Sequence, residues 1–299
     1  MRGLSKPQAK KWAFGLLTGA SVVALYYMLQ HVDWRAAWSV FVATSPVPWL
    51  WAVVGMSASH WLRAGRIRNE WKQQLNMPWH VAWGLMVRHS AWVVLVPMRA
   101  GEAIYVWFLH RQGQVPLRQA ALSLLRLRIQ DMAVLGILFL CFWGSDHWGW
   151  RLVIFGVTSW LAIAALPTLW HWVLRRMKPT DQDLAQRLPP PAWTSWAYAF
   201  ANWIIKIVAL GAPLTAMLGI SWSIAAQAAL GGELGATLPV QPPAGFGPYE
   251  AGVIFALQGH TLTWSVIAPA ALAIHLLALA VTLSSAWFAH LLGWSQKDL

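Results

Sequence analysis

Long apolar runs separated by short polar segments dominate the sequence and predict a bundle of membrane-spanning helices. A helix needs about 20 predominantly apolar residues to cross the hydrocarbon core of a bilayer. The first run follows four basic residues and is long for the core of a signal peptide, so it predicts an uncleaved span. Runs long enough to span lie near 12–30, 46–62, 117–143, 150–172, 192–218 and 264–292. The pattern therefore predicts about six transmembrane helices.

Two further apolar regions, near 78–110 and 223–259, are interrupted by proline and glycine. The first contains Pro-Met-Arg-Ala-Gly-Glu at 97–102, and the second contains Pro-Val-Gln-Pro-Pro-Ala-Gly-Phe-Gly-Pro-Tyr-Glu at 239–250. Lipid cannot satisfy backbone groups that a break sets free, so broken helices persist at membrane depth only inside protein or beside water. Each region therefore predicts a re-entrant helical hairpin rather than one straight helix.

The order of these elements repeats along the chain. Reading from the N-terminus gives span, span, hairpin and span, and reading from Arg151 gives the same order. Each unit crosses the membrane three times, so the second unit should be inverted relative to the first, as in many secondary transporters. The predicted fold class is an all-α polytopic membrane protein. A single membrane domain, 1–299, would consist of inverted-repeat halves near 1–145 and 146–299.

Composition supports a membrane protein and weakens the case for a nucleic-acid-binding protein. The chain is 58% hydrophobic and 11% charged, whereas a soluble domain carries about 25% charged residues. The net charge of +12 could suit nucleic acid, but the bases lie in short clusters between apolar runs. Such clusters are what the excess of basic residues in cytoplasmic loops produces. We therefore predict no nucleic-acid partner.

The distribution of basic residues predicts the orientation. With a cytoplasmic N-terminus, 15 of the 22 Lys and Arg residues fall in cytoplasmic segments and two fall on the opposite side. The cytoplasmic group includes Arg63, Arg66, Arg68 and Lys72 after the second span. This skew predicts a multi-pass protein of the inner membrane with both termini in the cytoplasm.

Cysteine and histidine give no sign of a metal or disulfide site. Cys141 is the single cysteine, and the ten histidines show no metal-ligand spacing. The sequence therefore predicts no metal site and no cofactor, and it contains no nucleophile motif that would indicate an enzyme.

Four carboxylates fall at membrane depth in this layout: Glu102, Asp131, Glu233 and Glu250. Ionisable residues inside a membrane are costly and usually mark a substrate or ion pathway. Arg128 precedes Asp131 by three residues, so the two side chains share a helix face and can pair.

Three arginines in the first half are suited to phosphate. Arg99 lies at the tip of the first hairpin, where a guanidinium can bind phosphate through two donors, and Arg126 and Arg128 follow in the next span. Half-helices that begin after Gly101 or Gly247 would also direct backbone N–H groups at an anion. The alternative is that these charges only pair with one another and hold the hairpins in place. For Lys206, Arg88 and Glu233 a functional and a structural role stay open.

Three motifs, taken in order, resemble the lysylphosphatidylglycerol synthase transmembrane-region family. They are Arg-Ala-Gly-Glu at 99–102, Arg-Ile-Gln-Asp at 128–131, and Pro-Pro-Ala-Gly-Phe-Gly at 242–247 followed by Glu250. The resemblance covers nearly the whole chain and implies a flippase-like membrane domain. Pro248 and Tyr249 depart from the family pattern, which has an arginine before the glutamate. No aminoacyl-transferase domain is expected before Leu299, so the resemblance implies lipid translocation without lipid aminoacylation.

The expected function is a non-enzymatic flippase that moves an anionic-headgroup phospholipid, glycolipid or other envelope lipid between leaflets. Two alternatives are an intramembrane lipid-modifying enzyme and a non-transporting accessory subunit of an envelope-lipid pathway. Beyond the lipid substrate, a homo-oligomer or an envelope-biosynthesis partner stays open. The expected substrate-binding residues are Arg99, Gly101, Glu102, Arg126, Arg128, Asp131, Pro242, Pro243, Gly245, Gly247 and Glu250.

Overall fold

A computed structural model describes residues 33–143, 148–176, 193–238 and 242–293, together with the isolated positions 19, 23, 26 and 30. The predicted first span, 12–30, lies outside the described residues except at those four positions. The described residues form ten α-helices and two short 3₁₀ helices. The α-helices are α1 (Trp34–Ala43), α2 (Pro46–Trp71), α3 (Trp79–Leu95), α4 (Ala103–Arg111), α5 (Leu117–Trp143), α6 (Trp148–Arg175), α7 (Trp193–Leu218), α8 (Trp222–Gly235), α9 (Pro248–Ala256) and α10 (Trp264–Leu291).

Local signals set the beginning of α1 and α2. The carboxylate of Asp33 accepts the backbone N–H of Ala36 at 2.9 Å and caps α1. Pro46 occupies the first turn of α2, where its missing N–H costs nothing. The two helices meet at an angle of 102°. Helix α1 is not among the elements predicted from hydropathy, because its ten residues are too few for a span.

Three helices are long and apolar enough to cross a membrane: residues Gly149–Trp170 within α6, and the whole of α7 and α10. The bent pair of α1 and α2 would make a fourth. Helix α5 spans the predicted 117–143, but it carries Arg126, Arg128 and Asp131. The protein is therefore a multi-pass membrane protein, and the part of the chain that the structure describes is all helical. The predicted total of six spans and two re-entrant hairpins stays a prediction.

The outer face of α6 is apolar and exposed. Trp150, Leu152 and Trp160 each leave about two thirds of the side chain uncovered, at 66%, 69% and 68%. In water a surface of this kind would be a liability, whereas in a bilayer it is the ordinary lipid-facing surface. The exterior of the fold is thus suited to hydrocarbon.

The interior is organised around α2, α7 and α10. Helix α2 packs along α7, and α10 contacts α1, α2, α3, α7 and α9. A methyl group on Gly55 would lie 2.6 Å from Cβ of Ala209, so a small residue is needed at this crossing. Nearby, Ser59 Oγ donates to Asn202 Oδ1 at 2.6 Å. Close backbone approach and a polar contact together hold the two helices.

Both interrupted regions contain a helix break at the predicted motif. The first break is the 3₁₀ helix Pro97–Glu102 between α3 and α4, and the second is the segment 242–247, with the 3₁₀ helix Pro243–Gly245, between α8 and α9. The two 3₁₀ helices contact each other. Arg99 and Ala244 have positive φ angles of 54° and 62°, a conformation that costs a non-glycine residue about 1–3 kcal/mol. The surrounding contacts must offset this strain.

The order of elements recurs in the two halves. A helix, a broken helical pair and a long helix occur as α2, α3–α4 and α5, and again as α7, α8–α9 and α10. The first span of the predicted four-element repeat lies outside the described residues except at four positions, so that repeat stays a prediction. The inverted relation of halves 1–145 and 146–299 stays a prediction.

Alanine at Gly231 is expected to destabilise the protein by about 1–3 kcal/mol, because overpacking forces helices apart. A methyl group there would overlap the carbonyl oxygen of Gly252 and lie 2.7 Å from Cβ of Ala256. Gly156 on α6 has open space around it, so Gly156→Ala should be neutral or slightly stabilising. Thermal unfolding of both variants in detergent gives the comparison. Equal midpoints for the two variants would contradict close packing of α8 on α9.

Candidate functional site: a charged cavity between the helices

A cavity of about 500 Å³ lies in the interior, lined by residues of α2, α3, the first break, α5, α7, α8 and α10. Its walls combine apolar side chains with an unusual number of ionised groups. Two histidines, His60 and His89, lie at or beside it. The ionised lining residues, together with Arg66 directly behind them, form what we call the cavity network: Arg63, Arg66, Arg99, Arg128, Lys206, Glu102, Asp131 and Glu233.

The first break holds one half of this network. Arg99 Nε and Nη2 both lie 2.8 Å from Glu102 Oε1, and Arg128 Nε lies 3.2 Å from the same oxygen. Arg99 Nη1 donates to the carbonyl oxygen of Ala236 at 2.8 Å, at the C-terminal end of α8. Arg99 therefore ties the first break to the helix that leads into the second break. All three of its nitrogens already have protein partners.

Asp131 is a buried carboxylate of the network and has several partners. Arg66 Nη1 lies 2.6 Å from Oδ1, and Trp203 Nε1 donates to the same oxygen at 3.2 Å. The predicted pair with Arg128 is also present, at a longer 3.6 Å to Oδ2. Arg66 further donates to Gln130 Oε1 at 2.7 Å. The principal partner of Asp131 is thus Arg66, which the sequence analysis assigned to a cytoplasmic segment.

Lys206 and Glu233 form a second charged pair in the lining of the cavity. Lys206 Nζ lies 2.5 Å from Glu233 Oε2, and both residues line the cavity. The ammonium group also lies 5.3 Å from the ring centroid of Trp203, close enough for a cation–π interaction. These two residues had no assigned role in the sequence, and the structure makes them part of the same site.

Arg126 lies outside the cavity. Its guanidinium forms a buried ion pair with Glu70, whose other donor is Ser123 Oγ at 3.0 Å. The hydroxyl of Tyr105 contacts Ser123 at 2.9 Å. The structure therefore places Arg126 in a separate buried network between α2 and α5, away from the position where it could contact a ligand in the cavity.

The second break is held by its own carboxylate. Glu250 Oε2 accepts the backbone N–H of Gly247 at 2.7 Å, and Oε1 lies 2.6 Å from His275 Nδ1. His275 Nε2 lies 3.0 Å from the carbonyl oxygen of Ala244. A carbonyl can only accept, so Nε2 carries a proton. Glu250 of α9 and His275 of α10 thus hold the strained turn at Ala244 in place.

The predicted site residues divide into two groups. Arg99, Glu102, Arg128 and Asp131 line the cavity. Gly101 instead packs against the backbone of Trp92, where any side chain would overlap the carbonyl group. The other predicted residues are absent from the lining as well: Arg126, Pro242, Pro243, Gly245, Gly247 and Glu250.

The main residue that sequence reasoning missed is Arg63. It lies on α2, lines the cavity, and donates from Nη1 to Ser90 Oγ at 3.2 Å. Helix α2 continues to Trp71, whereas the predicted span stopped at residue 62 where the charges begin. Moving Arg63 and Arg66 from the cytoplasmic count into the interior leaves the skew of basic residues in the same direction.

An apolar exterior, several membrane-length helices and an ionised interior cavity define a polytopic membrane protein with a polar interior site. The profile of the family described as "Lysylphosphatidylglycerol synthase TM region" matches residues 12–285. The chain therefore belongs to that family, and it is a membrane protein of envelope-lipid metabolism. Within its 299 residues no aminoacyl-transferase domain accompanies the transmembrane region. No functionally curated protein matches the chain.

Proposed function

We propose that the protein is a lipid flippase that moves an anionic-headgroup phospholipid, glycolipid or other envelope lipid between the leaflets of the inner membrane. The observation that carries the proposal is the ionised cavity of about 500 Å³ inside a fold with an apolar exterior. Cavities of this size suit a small-molecule group such as a lipid headgroup. The acyl chains would stay outside, along the exposed apolar helices.

Two carboxylates of the cavity network are each shared by two arginines, and this sharing lets an anionic headgroup bind one of the arginines. Glu102 Oε1 is shared by Arg99 and Arg128, and Asp131 is shared by Arg66 and Arg128. Arg128 is therefore held by two carboxylates that each have a closer partner. An anionic headgroup that enters the cavity can take Arg128 from them while both carboxylates keep an arginine. Such an exchange avoids leaving a buried charge alone.

The orientation is part of the same proposal. Both termini would lie in the cytoplasm, with the first break entering from the cytoplasmic side and the second from outside. Contact between the two 3₁₀ helices supports a shared central region for the two breaks, as expected when inverted repeats bring their discontinuous helices together.

Purified protein in liposomes with a labelled phosphatidylglycerol should collapse the leaflet asymmetry that empty liposomes retain. Arg128→Gln should slow this exchange at least tenfold, because it removes the base that both carboxylates share. Arg111→Gln is the matched control, since Arg111 lies exposed at the end of α4 and outside the cavity. Exchange is measured by chemical quenching of label in the outer leaflet.

Lipid mass, measured on the same vesicles, separates the alternatives. A new lipid species would indicate a lipid-modifying enzyme and would overturn the assignment as a flippase. Unchanged mass with unchanged sidedness would indicate an accessory subunit. Altered sidedness with unchanged mass is the result we expect.

A further inference from the structure

The cavity network contains more positive than negative charge. Its five bases face three carboxylates, each of which is already bound by at least one base. His89 adds no positive charge, because its Nε2 lies 3.2 Å from Arg128 Nη2 and a guanidinium can only donate. Two positive charges of the network therefore lack a carboxylate of their own among the described residues.

Arg63 is the clearest example of a base in the cavity network that has no carboxylate partner among the described residues. Its polar contact among the described residues is the neutral hydroxyl of Ser90, at 3.2 Å, and no carboxylate oxygen of the described chain lies within 4 Å. Arg66, one turn further along α2, differs completely, with Asp131, Gln130 and the carbonyl of Leu127 around its guanidinium. The protein supplies Arg66 with three acceptors, whereas Arg63 lines the cavity and has one acceptor, Ser90, among the residues that the structure describes.

An arginine without a counter-charge is costly at this depth. Burying a charge that lacks a partner costs several kcal/mol, and the cost falls when an anion or a hydrogen-bonded acceptor is supplied. The guanidinium offers a planar fork of donors that matches two phosphate oxygens. Two uncompensated positive charges also correspond to the one or two negative charges of a phosphate group.

We propose that Arg63 binds the phosphate group of a lipid headgroup in the cavity, with Arg128 beside it as the second base. The inference rests on the proposed lipid-transport function and specifies its substrate class as phosphate-bearing lipid. The network completes its charge balance only when the phosphate is present, so Arg63 selects the substrate rather than holding the fold together.

Binding of radiolabelled lipid to the full-length protein in non-ionic detergent tests the proposal. Phosphatidylglycerol and phosphatidic acid should bind at least tenfold more tightly than diacylglycerol, which has the same chains and no phosphate. Arg63→Gln should remove that preference, and Arg63→Lys should keep part of it. Arg68→Gln is the matched control, because Arg68 lies on the same helix, is exposed, and donates to the carbonyl of Met77.

Equal affinity for diacylglycerol, or full phosphatidylglycerol affinity in Arg63→Gln, would overturn the proposal. Glycerol 3-phosphate tests the source of the phosphate. If this soluble compound competes as well as phosphatidylglycerol does, the site takes free phosphate compounds and the lipid assignment is wrong. Weak competition, at least a hundredfold poorer, is the expected result.

Thermal unfolding gives a second readout that a structural arginine would not produce. Ligand-free Arg63→Gln should be at least as stable as the original protein, because the change removes an uncompensated buried charge. Phosphatidylglycerol should raise the unfolding midpoint of the original protein and leave that of Arg63→Gln unchanged. A variant that unfolds or aggregates would show that Arg63 supports the fold, which contradicts the proposal.

The binding and transport measurements test the phosphate site and the proposed transport separately. Arg63-dependent binding without any exchange between leaflets would sink the proposed transport and leave the phosphate site intact. Undiminished exchange in Arg63→Gln would sink the phosphate site and leave the proposed transport intact.

Discussion

Replacing Asp131 by alanine is expected to lower the free energy of unfolding by about 3–5 kcal/mol, because breaking a buried ion pair leaves its partner uncompensated. Arg66 would lose its 2.6 Å partner at a position where its side chain is only 5% exposed. Trp203 would lose an acceptor at 3.2 Å in the same step. Unfolding in mixed micelles with increasing sodium dodecyl sulfate measures the change.

Two further variants show whether the loss of stability comes from the uncompensated charge of Arg66. Arg66→Met combined with Asp131→Leu should recover most of the stability, since apolar residues of similar volume often replace a buried pair without cost. Asp33→Ala removes an exposed N-cap and should cost about 1 kcal/mol. If Asp131→Ala costs no more than Asp33→Ala, the pair with Arg66 contributes no more than a surface contact.

Proline and glycine made the two breaks predictable from sequence. The breaks at 97–102 and 243–245 fall inside the predicted motifs, because residues that cannot continue a helix act locally. Helix α5 likewise covers the predicted 117–143, since it begins directly after Pro116. Features that one stretch of chain determines by itself were visible without the structure.

Ion pairs between residues from distant parts of the chain could not be predicted from the sequence. Arg66 and Asp131 are 65 residues apart, and Arg126 and Glu70 are 56 apart, so no local pattern reports either pair. Hydropathy also ends a predicted span at its first charges, although the helix continues when those charges find partners inside the protein. This is why Arg63 and Arg66 were counted among cytoplasmic residues.

The role of His275 could have been predicted by comparing the two halves of the sequence. In the first half, Glu102 at the break is bound by Arg128 from the long helix that follows, and in the second half Glu250 is bound by His275 from α10. The repeat of helix, broken pair and long helix therefore extends to the side chains. Comparing the two halves position by position would have suggested a basic partner for Glu250 on the last helix, where His275 had no predicted role.

Arg99→Lys is expected to reduce lipid exchange between leaflets at least tenfold. The guanidinium of Arg99 binds Glu102 through two nitrogens and the carbonyl of Ala236 through the third. An ammonium is a single point donor and lacks the planar fork that reaches both at once. The change would release the first break from α8 and should leave lipid binding at Arg63 within about threefold of the original protein.

Arg88→Lys is the matched control for this substitution. Arg88 also donates to a helix carbonyl, that of Ala289 at 3.4 Å, but lies outside the cavity lining. Exchange by Arg88→Lys should therefore equal that of the original protein. Leaflet sidedness is measured for both variants at matched expression and unfolding midpoint.

The double variant Arg99→Ala/Glu102→Ala shows whether transport needs the contacts of Arg99 and Glu102 or whether this ion pair only stabilises the fold. Its stability should exceed that of Glu102→Ala alone, because the single change leaves the half-buried Arg99 without its carboxylate partner. Arg128 keeps Asp131 and His89 in both variants. Transport should nevertheless stay low in the double variant, since the link between the first break and Ala236 is gone. Full exchange by this double variant would show that the first break needs no charged clamp, and the functional role of Arg99 and Glu102 would be wrong.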